Sequence, residues 1–144
     1  MVRFRNRYLV LRLAWRDGKR DEALNEVLLL QGVRDAVQAA FGAAGLGRAQ
    51  TALQVKHYSG FTGLCVLRCG RDEQREVLTS VQRINDFKHR RVQVHVARVT
   101  GSIRCARAAA VVEHDAAIAA AGRLSTQREA SLAATRERLL ALEM

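Results

Sequence analysis

The side chains best suited to acid–base or metal chemistry are dispersed along this sequence. Its four histidines are His57, His89, His95 and His114, and none stands at metal-ligand spacing from a cysteine or a carboxylate pair. The densest polar cluster, Glu113-His114-Asp115, falls in a predicted helix, where adjacent residues point to different faces. This spacing favours a solvated helix surface over an active site, and it gives no candidate site for metal-assisted cleavage.

Arginine and lysine are the reactive side chains that the sequence does concentrate. The formal net charge is +10, and residues 1–20 hold seven basic side chains against Asp17 alone. Further positive charges cluster in Lys88-His89-Arg90-Arg91 and at Arg98, Arg104 and Arg107. So uneven a basic surface is typical of a protein that binds a polyanion, with nucleic acid first and an acidic membrane second. A high isoelectric point without a polyanion partner is the alternative.

The N-terminal arm is the most concentrated of these basic segments. Arg3, Arg5 and Arg7 precede the first predicted strand, and their alternation places them on one side of an extended chain. No nearby acidic run could pair with all three, so we expect them to bind RNA phosphates. Phe4, on the opposite side, would pack into the protein or stack on a base. For Arg7 alone, a strand position paired with the acidic start of the first helix is the alternative.

A second candidate for anion binding lies where the third helix is predicted to begin. Thr100-Gly101-Ser102 has the composition of a helix cap, and the amides that follow it point outward at the positive end of the helix dipole, beside Arg104. Gly101 would let a phosphate approach the backbone closely. An ordinary capped helix without a ligand is the alternative.

Alternating apolar residues predict four strands. The central strand lies within Thr62–Cys69, because an uninterrupted apolar run from Leu64 to Leu67 indicates burial on both faces. Gln50–Tyr58 alternates before it, and Ser59-Gly60-Phe61 supplies a tight turn, so these two strands form a hairpin. Tyr8–Trp15 and Arg91–Val99 alternate in the same way and form the first and last strands. The thiols of Cys65 and Cys69, on one face of the central strand, are predicted to be buried.

Two helices are predicted between the strands. Asp21 is a plausible cap for the first, which is expected to end in a glycine-rich loop from Gly42 to Gly47, and Asp72 is a plausible cap for the second. The buried side of the first helix is expected to comprise Leu24, Val27, Leu28, Val33, Val37, Ala40 and Phe41. The adjacent leucines from Leu28 to Leu30 spread beyond one buried stripe, so one of them is expected to face a partner.

Two more helices follow the last strand. The third is predicted from Ile103 to about Ala121, and the fourth, with capping-box spacing, from about Gln127 to Leu142. Leu132, Leu139 and Leu142 form a narrow stripe that docks on a partner or frays in solution. Residues 1–122 are therefore interpreted as one α/β domain with a basic arm at residues 1–7, and residues 123–144 as a C-terminal helical extension.

The order of these elements indicates an α+β fold of the ferredoxin-like, RNA-recognition-motif-like split βαβ type. Right-handed crossovers place the first and third strands in the centre of a four-stranded antiparallel sheet, with helices on one face. A C-terminal helix partly covers the second face. Because the central strand carries Leu64, Val66 and Leu67 where base-stacking RNA-recognition motifs carry aromatic residues, binding through phosphates and RNA shape is favoured.

Several segments resemble one protein family. They are Met1-Val2-Arg3-Phe4-Arg5-Asn6-Arg7-Tyr8, Leu53-Gln54-Val55-Lys56, Thr62-Gly63-Leu64 through Val66, Arg68 and Cys69 into Arg71-Asp72, and Gly101-Ser102-Ile103 with Cys105. In this order, up to about Asp115, they are similar to the small α/β protein subunit of eukaryotic and archaeal ribonuclease P and ribonuclease MRP, the fifth processing-of-precursors subunit. The opening octapeptide is the most specific part of the resemblance.

This resemblance implies a noncatalytic protein of a ribonucleoprotein whose RNA, with Mg²⁺, removes the 5′ leader of precursor transfer RNA. In the MRP particle the related RNA acts on precursor ribosomal RNA. The implied partners are the particle's RNA, other protein subunits including a TIM-barrel-like one, and precursor tRNA indirectly, with no membrane and no cofactor bound by the protein itself. The implied location is the nucleus and nucleolus, or the cytoplasm for an archaeal source.

Charge and resemblance together give a set of predicted RNA-binding residues. They are Arg3, Phe4, Arg5, Asn6, Arg7, Lys56, Arg71, Lys88, Arg90, Arg91, Gly101, Ser102 and Arg104. No catalytic or metal-binding residue is predicted. The alternative function is a generic structured-RNA-binding or dimerisation module of the same fold. Binding to structured RNA that survives removal of the last helix would separate these functions.

Overall fold

A computed structural model of the chain describes residues 5–15, 24–59, 62–87, 90–121 and 126–142. Its strands are β1 (Asn6–Trp15), β2 (Gln54–Tyr58), β3 (Leu64–Gly70), β4 (Asp86–Phe87) and β5 (Arg90–Thr100). Its helices are α1 (Glu26–Ala49), α2 (Gln74–Gln82), α3 (Ile103–Ala121) and α4 (Thr126–Leu140). Among the described residues, no helix is long and apolar enough to cross a membrane.

The sheet is antiparallel throughout, with the strand order β2-β3-β1-β5-β4. The four long strands are those predicted, and β1 and β3 lie inside the sheet, as right-handed crossovers require. The predicted split βαβ fold is therefore confirmed. The two-residue β4 adds a short edge beside the start of β5, which the sequence pattern did not indicate.

The first face of the sheet packs against α1 and α2. Leu9, Leu11 and Leu13 of β1 lie on this face and belong to one buried cluster. The cluster also contains Cys65 and Cys69, so the prediction that both thiols are buried is confirmed. Burial raises the pKa of the Cys69 thiol to about 12, with a further contribution from Glu73, and Arg7 acts in the opposite direction. Both cysteines are thus kept as unreactive thiols.

The part of the second face formed by β1 and β3 is covered by α3 and α4. Tyr8 and Val10 of β1 and Leu64 and Val66 of β3 form a second buried cluster. Ala106, Ala109 and Ala110 of α3 and Leu139 of α4 close it. Because the alanine side chains are small, α3 can approach the sheet closely, and together with Leu139 it buries the four larger apolar side chains. The predicted helical cover of this face is therefore confirmed.

The helix α4 docks on its own chain. Leu139 is fully buried in the second cluster and Leu142 packs against it, so the expectation that this stripe meets a partner or frays is wrong for these two residues. The side chain of Leu132 lies outside the described part. Arg107 of α3 donates hydrogen bonds from Nη1 to the carbonyl oxygens of Leu140 (3.3 Å) and Leu142 (2.9 Å). A cation thereby satisfies carbonyl groups at the negative end of α4.

The start and end of α1 differ from the sequence prediction. Asp21 lies outside the described residues, and the N-cap is Asn25, whose Oδ1 accepts a hydrogen bond from the Leu28 amide at 2.9 Å. Gly42 interrupts the helix as predicted, with non-helical dihedral angles (φ 75°, ψ −178°), but the predicted glycine-rich loop is wrong, because a second helical segment follows and continues to Ala49. Gly45 and Ala49 are buried in this second part, four residues apart, and that spacing keeps them on one helix face.

The buried side of α1 also differs from the expectation. Leu29, Val33 and Val37 are buried at four-residue spacing, whereas Val27 is 75% and Phe41 37% exposed. Leu28 and Leu30 pack partly against the core, so none of the three adjacent leucines is fully exposed. Leu28 and Leu30 keep part of their surface exposed, so the expectation that one of the three faces a partner stays a prediction; Val27 is a more exposed apolar side chain of the same turn.

Two short connections also correct the prediction. Glu73, not Asp72, is the N-cap residue of α2, and it makes no side-chain capping bond. Gly63 has φ 73°, and a side chain there would collide with the carbonyl oxygen of Leu13. The Leu13 amide donates to the Gly63 carbonyl at 2.7 Å. Gly63 thus lets the chain enter β3 in close contact with β1.

Candidate nucleic-acid interface

One end of the sheet gathers most of the predicted binding residues. The strand register pairs Asn6 with Gly70 and Tyr8 with Thr100, so β1 begins where β3 and β5 end. We call this the Asn6 end. Three chain segments that are far apart in sequence meet there: the N-terminal arm, the segment after β3, and the segment before α3.

A cleft of about 820 Å³ opens at the Asn6 end. Its lining contains four arginines, which are Arg5, Arg48, Arg68 and Arg71. Asn6, Thr51, Ala52, Gly70, Asp72 and Glu73 complete it. The structure therefore brings together Arg5, Asn6 and Arg71 of the predicted set, and it adds Arg48 and Arg68, which the sequence analysis missed.

Short contacts hold these arginines in position. The Arg71 amide donates to the Arg5 carbonyl at 2.9 Å, which extends the β1–β3 pairing by one bond and fixes the arm beside the cleft. Arg68 is half-buried and donates from Nε to the Ala52 carbonyl at 3.1 Å, and Arg48 pairs with Glu76 at 3.5 Å. Arg5 and Arg71 are exposed. Arg68 is thus anchored by the protein, whereas Arg5, Arg48 and Arg71 face solvent, Arg48 with a side chain that is 56% exposed.

Arg7 joins the arm to the start of α3. It is a half-buried strand residue paired with Cys69, and its Nη1 donates to the Asn6 carbonyl at 3.0 Å. A Cβ atom at Gly101 would stand 3.5 Å from that Nη1. The strand position that was the alternative for Arg7 is therefore correct, although its guanidinium lies against Gly101 rather than against α1.

The start of α3 is built as the sequence predicted. Ser102 Oγ accepts a hydrogen bond from the Cys105 amide at 3.2 Å, and Thr100 Oγ1 donates to the Ser102 carbonyl at 3.0 Å. Arg104 is exposed in the first turn. Arg7 and Arg104 thus place two cations near the positive end of the helix dipole. Phosphate binding at Gly101 stays a prediction.

The remaining predicted residues lie elsewhere. Lys56 is half-buried in the edge strand β2, at a register shift between Val55 and His57. Arg91 is exposed at the far end of the sheet, next to the Trp15–Val92 pair. Trp15 lies eight positions after Arg7 along β1, which is about 27 Å at 3.4 Å per strand residue. Arg3, Phe4 and Lys88 lie outside the described residues, as does the side chain of Arg90. The predicted set is therefore not one cluster.

The segment Glu113-His114-Asp115, the densest polar cluster of the sequence, lies in the described part of the chain. No group of three or more His, Cys, Asp or Glu residues there could hold a metal ion. Glu113 and Asp115 are surface residues paired with Arg12 at 3.8 Å and Arg136 at 3.2 Å. His114 is fully buried, so the expectation of a solvated cluster is right for the two carboxylates and wrong for the histidine between them.

A split βαβ sheet with helices on both faces and an arginine-rich end defines a small α+β protein suited to a polyanionic ligand. The sequence model of the Rpp14/Pop5 family matches residues 7–111, from β1 into α3, and the chain belongs to this family. The resemblance stated from the sequence segments is thereby confirmed. The match ends before α4, whose Leu139 completes the second cluster.

Curated relatives carry the names of ribonuclease subunits. The chain is 28% identical over 114 residues to a probable ribonuclease P/MRP protein subunit POP5 of Arabidopsis thaliana, covering 74% of this chain and 75% of the relative. It is 29% identical to the ribonuclease P/MRP protein subunit POP5 of Schizosaccharomyces pombe, covering 77% and 86%. A chain in the cryo-EM structure of yeast ribonuclease MRP has the same fold, with a TM-score of 0.55 and 14% identity over 72% of this chain and 79% of that one.

Proposed function

We propose that this chain is a protein subunit of the ribonuclease P and ribonuclease MRP ribonucleoproteins. The observation that carries the proposal is its membership of the Rpp14/Pop5 family over residues 7–111, with relatives in plants and fungi that are named as subunits of both particles. The likeness of its fold to a chain of yeast ribonuclease MRP is consistent with the same role.

In this role the protein braces folded RNA through the phosphate backbone. The arginines of the Asn6 end are suited to phosphate oxygens, since a guanidinium group donates two parallel hydrogen bonds. The sheet face that stacks bases in RNA-recognition motifs is unsuited to stacking here, because Tyr8 is 1% exposed beneath α3. Recognition of RNA shape, rather than of base sequence, follows from this arrangement.

The protein does not cut RNA by itself in this proposal. Cleavage of the 5′ leader of precursor tRNA belongs to the particle's RNA with Mg²⁺, and the protein contacts precursor tRNA only indirectly. Other protein subunits, including a TIM-barrel-like one, are its further partners. The expected location is the nucleus and nucleolus, or the cytoplasm if the source is archaeal.

Purification of the complex from its source on a tagged copy of this chain tests the assignment. We expect sequencing of the recovered RNA to find the ribonuclease P RNA, the MRP RNA or both, and mass spectrometry to find the other subunits. Recovery of unrelated structured RNAs, or of a homodimer without RNA, would instead favour the generic binding or dimerisation module.

A second measurement tests the noncatalytic role. The purified chain alone should leave precursor tRNA intact in Mg²⁺, while the complete particle removes its leader. A mock preparation from cells without the chain controls for contaminating nuclease. Leader removal by the pure chain, absent from the mock preparation, would overturn this part of the proposal.

A further inference from the structure

The second face of the sheet is only half covered. Cross-strand partners share a face, and β1 pairs with β5 at Val10–Arg98, Arg12–His95 and Ala14–Gln93. Val10 is buried in the second cluster under α3. Arg98, Arg12, His95, Ala14 and Gln93 therefore lie on the same face as Val10. Because all five are exposed, they lie beside α3 rather than beneath it.

This uncovered half is solvent-exposed and polar. Arg12, Gln93, His95 and Arg98 are all exposed, and we call these four residues the β5 strip. Each carries at least one N–H donor, as arginine, glutamine amide and imidazole groups do. Arg12 contacts Glu113 of α3 at 3.8 Å, and its side chain remains 45% exposed in that pair. An exposed ion pair of this length is weak and leaves the guanidinium able to bind a second anion.

The β5 strip lies between two sets of predicted RNA-binding residues that are apart in the fold: those of the Asn6 end, and Arg91 at the far end of the sheet. Arg98 precedes Thr100 of the Asn6 end by two residues, and Arg91 lies at the opposite end of β5, where Asp86 is its cross-strand partner. Arg98 lies seven positions after Arg91 along β5, which is about 24 Å at 3.4 Å per residue. A line of donors thus runs along β5 from the far end of the sheet to the segment before α3, which is part of the Asn6 end.

We infer that the β5 strip is a second phosphate-binding surface for RNA, continuous with the Asn6 end. Arg12 and Arg98 bind phosphate oxygens by charge and hydrogen bonds, and Gln93 and His95 donate to phosphate or ribose oxygens between them. None of these four residues is a phenylalanine, tyrosine or tryptophan, which fits backbone contacts better than base stacking. Continuity with the arginine-rich end favours RNA over an acidic protein as the occupant. The inference rests on the proposed function and adds a surface to it.

The test measures binding of an RNA hairpin with a stem of about 20 base pairs, enough to present two minor grooves and the intervening major-groove phosphates. Arg12→Gln combined with Arg98→Gln should lower the slope of log affinity against log salt by roughly 1.5 to 2. If both proteins bind equally at 1 M salt, this corresponds at about 0.1 M salt to affinity weaker by roughly thirty- to one-hundred-fold. Arg12→Lys with Arg98→Lys should restore most of the slope, because it keeps the charge.

Arg136→Gln is the matched control for Arg12→Gln. Arg136 also pairs with a carboxylate of α3, at 3.2 Å, and its side chain is 46% exposed, but it lies on α4 away from the strip. We expect its affinity for the hairpin to stay within about two-fold of the unmodified protein. Thermal midpoints of all variants, measured in parallel, separate loss of binding from loss of folding.

The outcomes distinguish this inference from the proposed function. Suppose that the unmodified protein co-purifies with ribonuclease RNA and binds the hairpin. If the double Gln variant then binds the hairpin equally well, the inference that the β5 strip binds RNA is overturned and the proposed function stands. Loss of a co-purifying protein from the double Gln variant, with unchanged hairpin affinity, would assign the strip to a protein partner and also overturn the inference. If the unmodified protein recovers no ribonuclease RNA and does not bind the hairpin, both fail.

Discussion

The guanidinium of Arg7 lies where a side chain at position 101 would project, so a substitution of Gly101 acts directly on Arg7. A Cβ atom at Gly101 would stand 3.5 Å from Arg7 Nη1, an ordinary van der Waals distance that alanine can occupy without strain. A longer acidic side chain would place its carboxylate beside the guanidinium. Comparing alanine with an acidic residue at position 101 therefore separates the effect of a negative charge at the start of α3 from the effect of side-chain size.

We predict that Gly101→Glu weakens RNA binding and leaves the fold intact. The new carboxylate would neutralise Arg7 and repel phosphate, lowering the salt slope by about one. Gly101→Ala is the matched control and should bind RNA as the unmodified protein does. Titration of the RNA hairpin at several salt concentrations, with thermal midpoints, measures both. Full affinity in a well-folded Gly101→Glu variant would remove this position from the interface.

Arg5 and Arg71 are two of the three solvent-facing cations of the cleft, and they are joined through their backbones rather than through their side chains. Replacing both by Ala should therefore lower the salt slope by roughly 1.5 to 2 while the thermal midpoint barely changes. Arg83→Ala with Arg136→Ala removes the same charge from other exposed positions and is the control. An equal loss of slope in both double variants would show that net charge, not this cleft, governs binding.

Arg7 differs from Arg5 in what its loss should do. Its guanidinium is half-buried and bonded to the Asn6 carbonyl, so a substitution there removes a structural contact as well as a cation. Arg7 is therefore part of the fold, whereas Arg5 is exposed and stays a candidate for phosphate binding.

At the scale of elements, α4 completes the cover of the second cluster. Leu139 fills the second cluster between α3 and β3, and Arg107 holds the end of the helix through two carbonyl oxygens. The exposed Leu140 next to it provides a comparison within the same helical turn. The family match ends at residue 111, so this cover is built from a part of the chain that the match does not include.

We predict that Leu139→Ala lowers the free energy of unfolding by about 2 to 5 kcal/mol, the cost of removing a fully buried leucine side chain. Leu140→Ala, at a side chain that is 47% exposed, should change it by less than about 1 kcal/mol. Chemical denaturation of both variants measures the difference. Equal effects of the two substitutions would mean that α4 does not dock as described.

At the scale of the whole molecule, one buried histidine couples the edge of the sheet to both C-terminal helices. His57 of β2 is 5% exposed, and burial lowers its pKa to about 4, with contributions from Arg138 of α4 and His114 of α3. In the unfolded chain its pKa is near 6.5. Below that pH the unfolded state binds a proton that the folded state excludes, so the stability present above pH 6.5 is lost as pH falls toward 4.

We therefore predict that the unmodified protein loses more stability between pH 6.5 and 4 than His57→Gln does, by up to about 3 kcal/mol. The difference should level off below pH 4, where both states are protonated. His95→Gln, at an exposed histidine, should follow the unmodified protein. Denaturant titrations at several pH values give the comparison, and parallel curves for the unmodified protein and His57→Gln would contradict the prediction.

Local pattern was sufficient for much of the architecture. Alternation identified the four long strands, the apolar run from Leu64 to Leu67 indicated a central strand buried on both faces, and Ser102 marked the start of α3. These features depend on residues within a few positions of one another, so the sequence contains their physical cause. The same locality explains the errors in α1, where burial of Leu29 in place of Val27 depends on how the helix lies on the sheet.

Only the tertiary structure decided which basic residues lie together at one end of the sheet. Arg48 and Arg68 join Arg5 and Arg71 because β1 begins where β3 ends, and no local pattern reports that meeting. The pairing of β1 with β5 likewise places Arg12 next to His95, more than eighty positions away in the chain. The sequence by itself determined the strands, their order and an excess of positive charge. Strand register and helix docking, which depend on long-range packing, determined where that charge is exposed.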